Sequence, residues 1–212
     1  MYKYNIAFNV PCPGTGDGVY SIHTNSSIGS TMKGQDIIIA LRLHSIWQDS
    51  MGSPDKELFS VRSMGDMLGI SKTEVSRSNQ RNLASGLVRQ DRKTGLLKPD
   101  SKALLEFLTH GIKYVFPVKL AEIVRGVPTA HAAPVLEGKM MSAGDLIPVW
   151  PDGNSSQMGQ AIQPLIESVP AIAKKDSRMY ELLALIDAIR MGGPRESELA
   201  KKMLAAILVG EK

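Results

Sequence analysis

The chain contains 212 residues, of which 43% are hydrophobic and 22% are charged, and its formal net charge is +4 at pH 7. This length and apolar content predict one large domain or two small ones with a buried core. No apolar run approaches the roughly 18 residues that span a membrane. The N-terminus lacks the pattern of a signal peptide, and the single cysteine, Cys12, excludes an internal disulfide framework. We therefore expect a cytoplasmic protein without membrane contact.

Residues 1–31 differ in composition from the rest, with turn-forming residues concentrated at 11–18 and 25–31. Their glycines do not form a phosphate-binding loop, because no Gly-Lys-Ser/Thr sequence follows them. We interpret residues 1–31 as a flexible leader or arm, with Met32 as an alternative start. An arm that contributes a strand or a dimer contact is a second interpretation.

A helix is predicted for residues 35–48, because five side chains give it the broad apolar face of a supporting helix. These side chains are Ile37, Ile38, Leu41, Ile46 and Trp47. His44 falls within this helix, and we interpret it as a structural residue and not as a ligand. A loop containing Gly52 and Pro54 follows.

Residues 60–88 contain two short helical patterns joined by a three-residue turn. Three apolar residues share one face of the first helix: Val61, Met64 and Leu68. Gly69 stands where a helix ends in a left-handed residue. Ser71 and Glu74 have the spacing of a capping box, in which the serine hydroxyl accepts from the amide of residue 74 and the carboxylate bonds back to the amide of residue 71. This pattern predicts that the second helix begins at Ser71.

The second helix is predicted to be apolar on one face only, with Val75 and Leu83 packing against the core. The opposite face is polar and cationic, and it carries Lys72, Thr73, Ser76, Arg77, Gln80 and Arg81. Asn79 and Asn82 occupy positions where apolar side chains are expected. Either the helix is slightly rotated or the two amides find partners in the core, since burying each unpaired would cost about 1–3 kcal/mol.

Two helices around a short Gly-containing turn, the second rich in Arg, Gln, Ser and Thr, are typical of a helix-turn-helix. A major groove admits one helix, and these side chains match the hydrogen-bonding groups of base edges. The segment resembles the winged helix-turn-helix of MarR-like bacterial transcription regulators, with matching residues 61–71, 74–77 and 83–88. The resemblance covers about residues 33–98 and implies that the second helix leads into a wing. Residues 89–98 fit a short β-hairpin whose charged tip contains Gly95.

The basic residues of the chain are concentrated in this segment. Residues 60–102 contain nine Lys or Arg and four Asp or Glu side chains, whereas the whole chain has a net charge of only +4. Phosphate neutralisation requires such an excess on the binding unit. We predict base contacts by Thr73, Arg77, Gln80 and Arg81, with Ser76 on the same face. We predict phosphate contacts by Lys72, Arg89, Arg92 and Lys93.

Beyond the hairpin, a helix is predicted from about residue 99 to residue 110, and residues 111–117 are either the end of this helix or a strand. Residues 124–134 contain two prolines six apart with small residues between them, which favours an extended loop. A helix is predicted for 157–169, interrupted by Pro164. Two further helices, 176–191 and 196–209, are separated by a Gly-Gly-Pro sequence and should form an antiparallel hairpin.

We predict no enzymatic activity, because His131 has no local nucleophile or acid with which to form a catalytic pair. Packing or partner contact is the preferred role for this histidine. The four histidines, at positions 23, 44, 110 and 131, and Cys12 show no metal-ligand spacing. No catalytic residue, metal or cofactor is therefore expected.

The predicted fold class is mainly α with a small β-wing. It comprises a winged helix-turn-helix domain at 32–117, a loop-rich connector at 118–155 and a C-terminal helical hairpin region at 156–212. We expect a sequence-specific transcriptional regulator, a repressor-like homodimer that inserts the 72–85 helix into the major groove of double-stranded DNA. The helices at 35–48 and 176–209 are the expected dimer interfaces.

A protein-interaction module is the alternative, in which the winged helix is a scaffold and residues 118–212 bind an enzyme or toxin. Residues 190–204 contain charges near the predicted Gly-Gly-Pro turn, and the chain is similar to helix-turn-helix partners encoded beside nucleotidyltransferase-like toxins.

Overall fold

The computed structural model describes residues 31–50, 54–138 and 146–210. Its α-helices are α1 (Gly34–Asp49), α2 (Val61–Leu68), α3 (Lys72–Ala84), α4 (Ser101–Glu106), α5 (Ile112–Val115), α6 (Val169–Lys175), α7 (Ser177–Met191) and α8 (Pro194–Val209). Its strands are β1 (Val88–Gln90), β2 (Leu97–Pro99), β3 (Leu120–Pro128), β4 (Pro148–Pro151) and β5 (Met158–Ile162). This mostly helical arrangement with two small sheets agrees with the mainly α class. Residues 1–30, which we interpret as a leader or arm, lie outside the described residues.

Helix α1 lies at the centre of the described fold and matches the helix predicted for 35–48 to within one residue at each end. Its residues 37–41 are completely buried, so this part of the helix has no solvent-facing side. It packs against α3, β2 and α7. A helix that is apolar all round is expected to be surrounded by other elements, and α1 accordingly supports both halves of the chain.

Helices α2 and α3 begin and end close to the predicted positions because their signals are local. The hydroxyl of Ser60 accepts from the amide of Ser63 at 3.1 Å, and that of Ser71 accepts from the amide of Glu74 at 3.3 Å. Gly69 ends α2 with a φ of 66°, which an L side chain rarely adopts. The two helices are in contact across this turn.

The β-hairpin predicted for residues 89–98 is confirmed, with β1 and β2 antiparallel and Arg89 opposite Lys98. The turn between them is built around Asp91, whose carboxylate accepts from the amides of Lys93 and Thr94 and from the Thr94 hydroxyl. These bonds, those from Thr94 foremost, lower the pKa of Asp91. The left-handed residue of the turn is Gly95, with a φ of 73°.

The helix predicted after the hairpin extends further than expected. Asp100 caps α4 by accepting from the amides of Lys102 and Ala103. A π-helical turn, Phe107–Gly111, joins α4 to α5, so the backbone stays helical through Val115. The residues after Gly111 are therefore the end of this helix and not a strand.

A small sheet of β3, β4 and β5 occupies much of the stretch predicted as a loop-rich connector. Strand β3 is antiparallel to both β4 and β5, which are parallel to each other, so the sheet closes on itself. Gly126 permits this closure, because a Cβ there would lie 2.2 Å from the carbonyl oxygen of Trp150. The helix predicted for 157–169 is wrong, since residues 158–162 form a strand and the next helix begins only at Val169.

The C-terminal helices agree closely with their prediction. Asp176 caps α7 by accepting from the amide of Met179 at 3.0 Å, and Gly192 ends the helix with a φ of 76°. Pro194 occupies the first turn of α8, where its missing amide hydrogen costs nothing. Helices α7 and α8 pack against each other as expected for a helical hairpin.

A buried polar cluster lies between α7 and the small sheet. The carboxylate of Asp187 accepts from Trp150 Nε1 at 2.6 Å, Thr129 Oγ1 at 3.1 Å and Arg190 Nη1 at 2.5 Å. Burial raises the pKa of Asp187, and Arg190 opposes this effect. Arg190 also donates to two backbone carbonyls, those of Phe116 and Gln163. The cluster thus joins α7 to neighbouring strands and loops.

None of the helices within the described ranges is both long enough and apolar enough to cross a membrane.

Candidate nucleic-acid interface

The outward face of α3 is polar and accessible. Five of the six side chains predicted for this face are exposed: Lys72, Thr73, Ser76, Arg77 and Gln80. They occupy the first nine residues of the helix, at the end that begins at the Ser71 cap. This end of a helix is the part that helix-turn-helix proteins use to contact base edges.

Arg81, the sixth predicted residue, does not lie on this face. It is 8% exposed, and its guanidinium is paired with the fully buried carboxylate of Asp36. Arg81 Nε donates to Asp36 Oδ2 at 2.8 Å, and Nη2 donates to Oδ1 at 2.6 Å. A side chain held in two such bonds is not free to contact a base, so Arg81 belongs to the buried face of α3.

The rotation of α3 accounts for this difference and for a second one. The buried residues of the helix are Val75, Ser78, Arg81 and Asn82. Leu83, predicted to pack inside, is 43% exposed. The buried face of α3 is therefore centred on Ser78 and Arg81, and Leu83 lies with Gln80 on the exposed side of the helix.

The two asparagines behave differently from each other. Asn82 is fully buried, and its Nδ2 donates to the backbone carbonyl of Asp36 at 2.9 Å. Its Oδ1 has no hydrogen-bond partner among the described residues, and the same is true of Asn79 Oδ1. Both explanations for these residues therefore hold in part: α3 as a whole is rotated, and Asn82 has a hydrogen-bond partner in the core.

Glu74 forms only half of the predicted capping box. Its amide bonds to Ser71, but its carboxylate turns to α1 and to its own helix instead of to the amide of residue 71. It accepts from Gln35 Nε2 at 2.8 Å, Arg77 Nη1 at 3.0 Å and Lys33 Nζ at 3.3 Å. These bonds, that from Gln35 first, lower the pKa of Glu74 from 4.5 to about 2. The carboxylate is thus ionised at neutral pH and orients Arg77.

The hairpin adds further cations four residues after α3 ends. The Arg89 side chain is 64% exposed, and its Nη1 lies 3.5 Å from Asp100 Oδ2. Arg92 and Lys93 are exposed in the turn and have no ion pair with any described residue. Lys98, on β2, lies 4.7 Å from the ring centre of Trp47. Trp47 Nε1 also donates to the Leu97 carbonyl at 2.8 Å, so the end of α1 holds the hairpin.

An acidic surface beside α2 limits the extent of this cationic region. Asp55, Glu57 and Asp66 line one shallow depression together with Arg62. Their charges would repel phosphates, whereas α3 and the hairpin tip present Lys72, Arg92 and Lys93. The surface beside α2 is therefore less suited to an anionic partner than α3 and the hairpin tip are.

The two described core histidines are in environments that disfavour a charged ring. His44 Nε2 is 3.4 Å from the Ile207 carbonyl and its Nδ1 is 3.3 Å from Ser101 Oγ, and burial lowers its pKa. His131 is half-buried in a short loop, where burial again lowers its pKa. Within the described ranges, no three His, Cys, Asp or Glu residues are grouped in a way that could hold a metal ion.

The sequence reasoning missed the residues that hold α3 in place, namely Asp36, Lys33 and Gln35. The available signal was a single acid in the first turn of α1, and such an acid is ordinarily explained by the helix dipole. Nothing in the spacing connects it to Arg81, which is 45 residues away.

Comparison with known proteins gives no match: no family model, no curated protein and no solved structure matches this chain.

Proposed function

We propose that the protein is a sequence-specific DNA-binding transcriptional regulator with a winged helix-turn-helix of the MarR-like type. The observation that carries the proposal is the exposed outward face of α3, which presents five polar side chains beside a hairpin turn whose Arg92 and Lys93 form no ion pair with the described residues. Helix α3 is the recognition helix, and the β1–β2 hairpin is the wing. Both are attached to α1, which supports them from behind.

The contacts divide into two groups. Thr73, Arg77 and Gln80 are assigned to base edges, since arginine pairs with guanine, glutamine with adenine and threonine with either. Ser76 lies on the same face. Phosphate contacts are assigned to four cations, Lys72, Arg89, Arg92 and Lys93. Arg81 is removed from the first group because Asp36 occupies its guanidinium.

The regulator acts in the cytoplasm as a homodimer in this proposal. Two recognition helices then read the half-sites of a pseudo-palindrome, spaced about 10 base pairs apart. No catalytic residue, metal or cofactor is assigned. We expect repressor-like action because the bound dimer would occupy a site upstream of the regulated gene.

The test is a salt series of binding to the DNA immediately upstream of the gene, compared with a scrambled duplex of equal length. We expect tighter binding to the native duplex and a steep fall in affinity for both between about 50 and about 200 mM salt, because phosphate contacts release counterions. Equal, weak binding to both duplexes at every salt concentration would contradict sequence-specific regulation.

A second candidate function is a protein-interaction module that uses residues 118–212. It is favoured by Ile123 and Met158, which are 56% and 58% exposed and lie on the same face of β3 and β5, since Met158 pairs with Arg125 two residues from Ile123. An apolar contact through this face should persist as salt rises, in contrast to DNA binding. This function would be supported if a partner protein co-purifies with the wild-type chain at high salt but not with an Ile123→Ser, Met158→Ser variant.

A further inference from the structure

Helix α3 is attached to the rest of the protein mainly through polar groups. Of its four buried residues, only Val75 is apolar, and the others are Ser78, Arg81 and Asn82. A surface helix ordinarily buries an apolar stripe against the core. The inward face of α3 therefore requires specific partners, since polar groups buried without hydrogen bonds would cost about 1–3 kcal/mol each.

One residue, Asp36, supplies most of these partners. Its Oδ1 accepts from Ser78 Oγ and Arg81 Nη2, both at 2.6 Å. Its Oδ2 accepts from Arg81 Nε and from the Lys33 amide, both at 2.8 Å. Its backbone carbonyl accepts from Asn82 Nδ2 at 2.9 Å. Asp36 is completely buried, so its carboxylate is shielded from solvent.

Such an attachment fixes the rotation of the helix more narrowly than apolar packing does. Hydrogen bonds weaken steeply when their angles change, and a two-point arginine–carboxylate pair adds its own geometry. Ser78, Arg81 and Asn82 belong to the same turns as Arg77 and Gln80. A turn of α3 about its axis would therefore break the inner bonds and redirect the outer side chains together.

We propose that Asp36 is a positioning residue for DNA recognition, which fixes the rotation of α3 through Ser78, Arg81 and Asn82 and thereby sets base preference without touching DNA. This inference rests on the DNA-binding function proposed above. It assigns to Asp36 the discrimination between duplexes and not the general affinity for DNA, because the phosphate-contacting cations of the hairpin are held separately by Trp47.

The test compares Asp36→Asn with the wild-type chain on two duplexes, one selected by the wild-type protein from a random pool and one scrambled. We expect the ratio of the two affinities to fall roughly tenfold or more, since each base contact of good geometry contributes a discrimination of this size. Affinity for the scrambled duplex and its dependence on salt should change much less than this ratio, since Lys72 is the one assigned phosphate contact on α3 and the other three lie on the hairpin.

Asp187→Asn is the matched control, because Asp187 is also buried, also pairs with an arginine and lies on α7 and not beside α3. Its melting temperature should fall, but its discrimination should be unchanged at a temperature where the variant is folded. Ser78→Ala, which removes one neutral donor to Asp36, decides the matter if Asp36→Asn does not fold. We expect it to reduce discrimination in the same direction by a smaller factor.

The outcomes separate this inference from the function on which it rests. Wild-type discrimination in Asp36→Asn, or in Ser78→Ala where Asp36→Asn does not fold, would overturn the positioning role and leave DNA binding intact. An equal loss in Asp187→Asn would also overturn it, because general destabilisation would then explain the effect. If the wild-type protein selects no duplex from the pool, the proposed function itself fails.

Discussion

The two buried aspartate–arginine pairs found among the described residues have similar chemistry but join different kinds of neighbours. Asp36 and Arg81 are 45 residues apart and connect α1 to a helix whose other face is exposed. Asp187 and Arg190 are three residues apart within α7. Their remaining bonds go to the side chains of Thr129 and Trp150 and to the carbonyls of Phe116 and Gln163. One pair orients a surface, whereas the other joins parts of the interior.

This difference shows why the role of a buried ion pair cannot be deduced from its contribution to the stability of the fold alone. Removing charges from water costs several kcal/mol, which the attraction between them only partly offsets. An apolar replacement at both positions of either pair is therefore compatible with a stable fold. The directional bonds of the first pair have a consequence outside the core, because Arg77 and Gln80 follow any rotation of α3.

Loss of the arginine from either ion pair should produce the largest effect on stability. We expect Arg81→Met and Arg190→Met each to lower the free energy of unfolding by about 3–5 kcal/mol, because each leaves a buried carboxylate without its cation. Urea unfolding followed by circular dichroism measures this. A loss below about 1 kcal/mol in either variant would mean that the remaining donors to that aspartate are sufficient, and the comparison of the two pairs would no longer hold.

The next effect separates the inward arginine from the outward one. We expect Arg77→Ala to weaken binding to the preferred duplex by about 1–3 kcal/mol and to relax base preference. Its unfolding free energy should stay within about 0.5 kcal/mol of the wild type, since Arg77 is exposed and away from the core. Fluorescence anisotropy with the selected duplex gives the binding energy.

Arg125→Ala is the control for Arg77→Ala, because Arg125 is an exposed arginine on β3, outside α3 and the hairpin. It should leave DNA binding unchanged. Equal losses in the two variants would show that only the net charge of the chain matters, and the assignment of Arg77 to base reading would be wrong.

A smaller effect is expected at the hairpin tip. Lys93→Gln should weaken binding to all sequences alike and reduce the slope of log affinity against log salt by about 1, since one phosphate contact is lost. Lys119→Gln removes the same charge from an exposed position just before β3 and should leave the slope unchanged. A change in base preference in Lys93→Gln would contradict its assignment to phosphate.

The elements that were predictable from sequence are those whose signals are local. Ser71 and Gly69 delimit the turn between α2 and α3, Gly95 marks the hairpin, and Gly192 and Pro194 separate α7 from α8. Each works through hydrogen bonds or backbone angles within about four residues. Spacing alone was therefore sufficient for most of the helical fold and for the exposed polar face of α3.

The features that were missed depend on distant partners. Strand β3 lacks an alternating apolar pattern, with Leu120 and Ile123 exposed, and becomes a strand only by pairing with β4 and β5. Arg81 has the helical spacing of a base-reading residue, but its partner Asp36 lies on another helix. The periodicity of α3 cannot reveal a partner on another helix. The buried and exposed residues of α3 could therefore be distinguished only in the structure.

The smallest expected effect concerns Glu74, which connects α1 to the outward face of α3. Hydrogen bonds from Gln35, Arg77 and Lys33 lower its pKa from 4.5 to about 2 in the folded protein. A lowered pKa means that the ionised carboxylate stabilises the fold above about pH 4.5, and that this stabilisation is lost as the pH falls towards about 2. Glu74→Gln should thus lower the melting temperature slightly at pH 7 and converge with the wild type near pH 2.

Melting curves of both proteins across this pH range measure the effect, and Gln35→Ala supplies the control. Gln35 makes the shortest of the three bonds, at 2.8 Å. Without it, the pKa of Glu74 should rise, so that the stabilisation is lost at a higher pH than in the wild type. A difference between Glu74→Gln and the wild type that is equal at pH 7 and pH 2 would show that the carboxylate charge does not connect the two helices. Asp36 would then be the main charged attachment of α3 to α1.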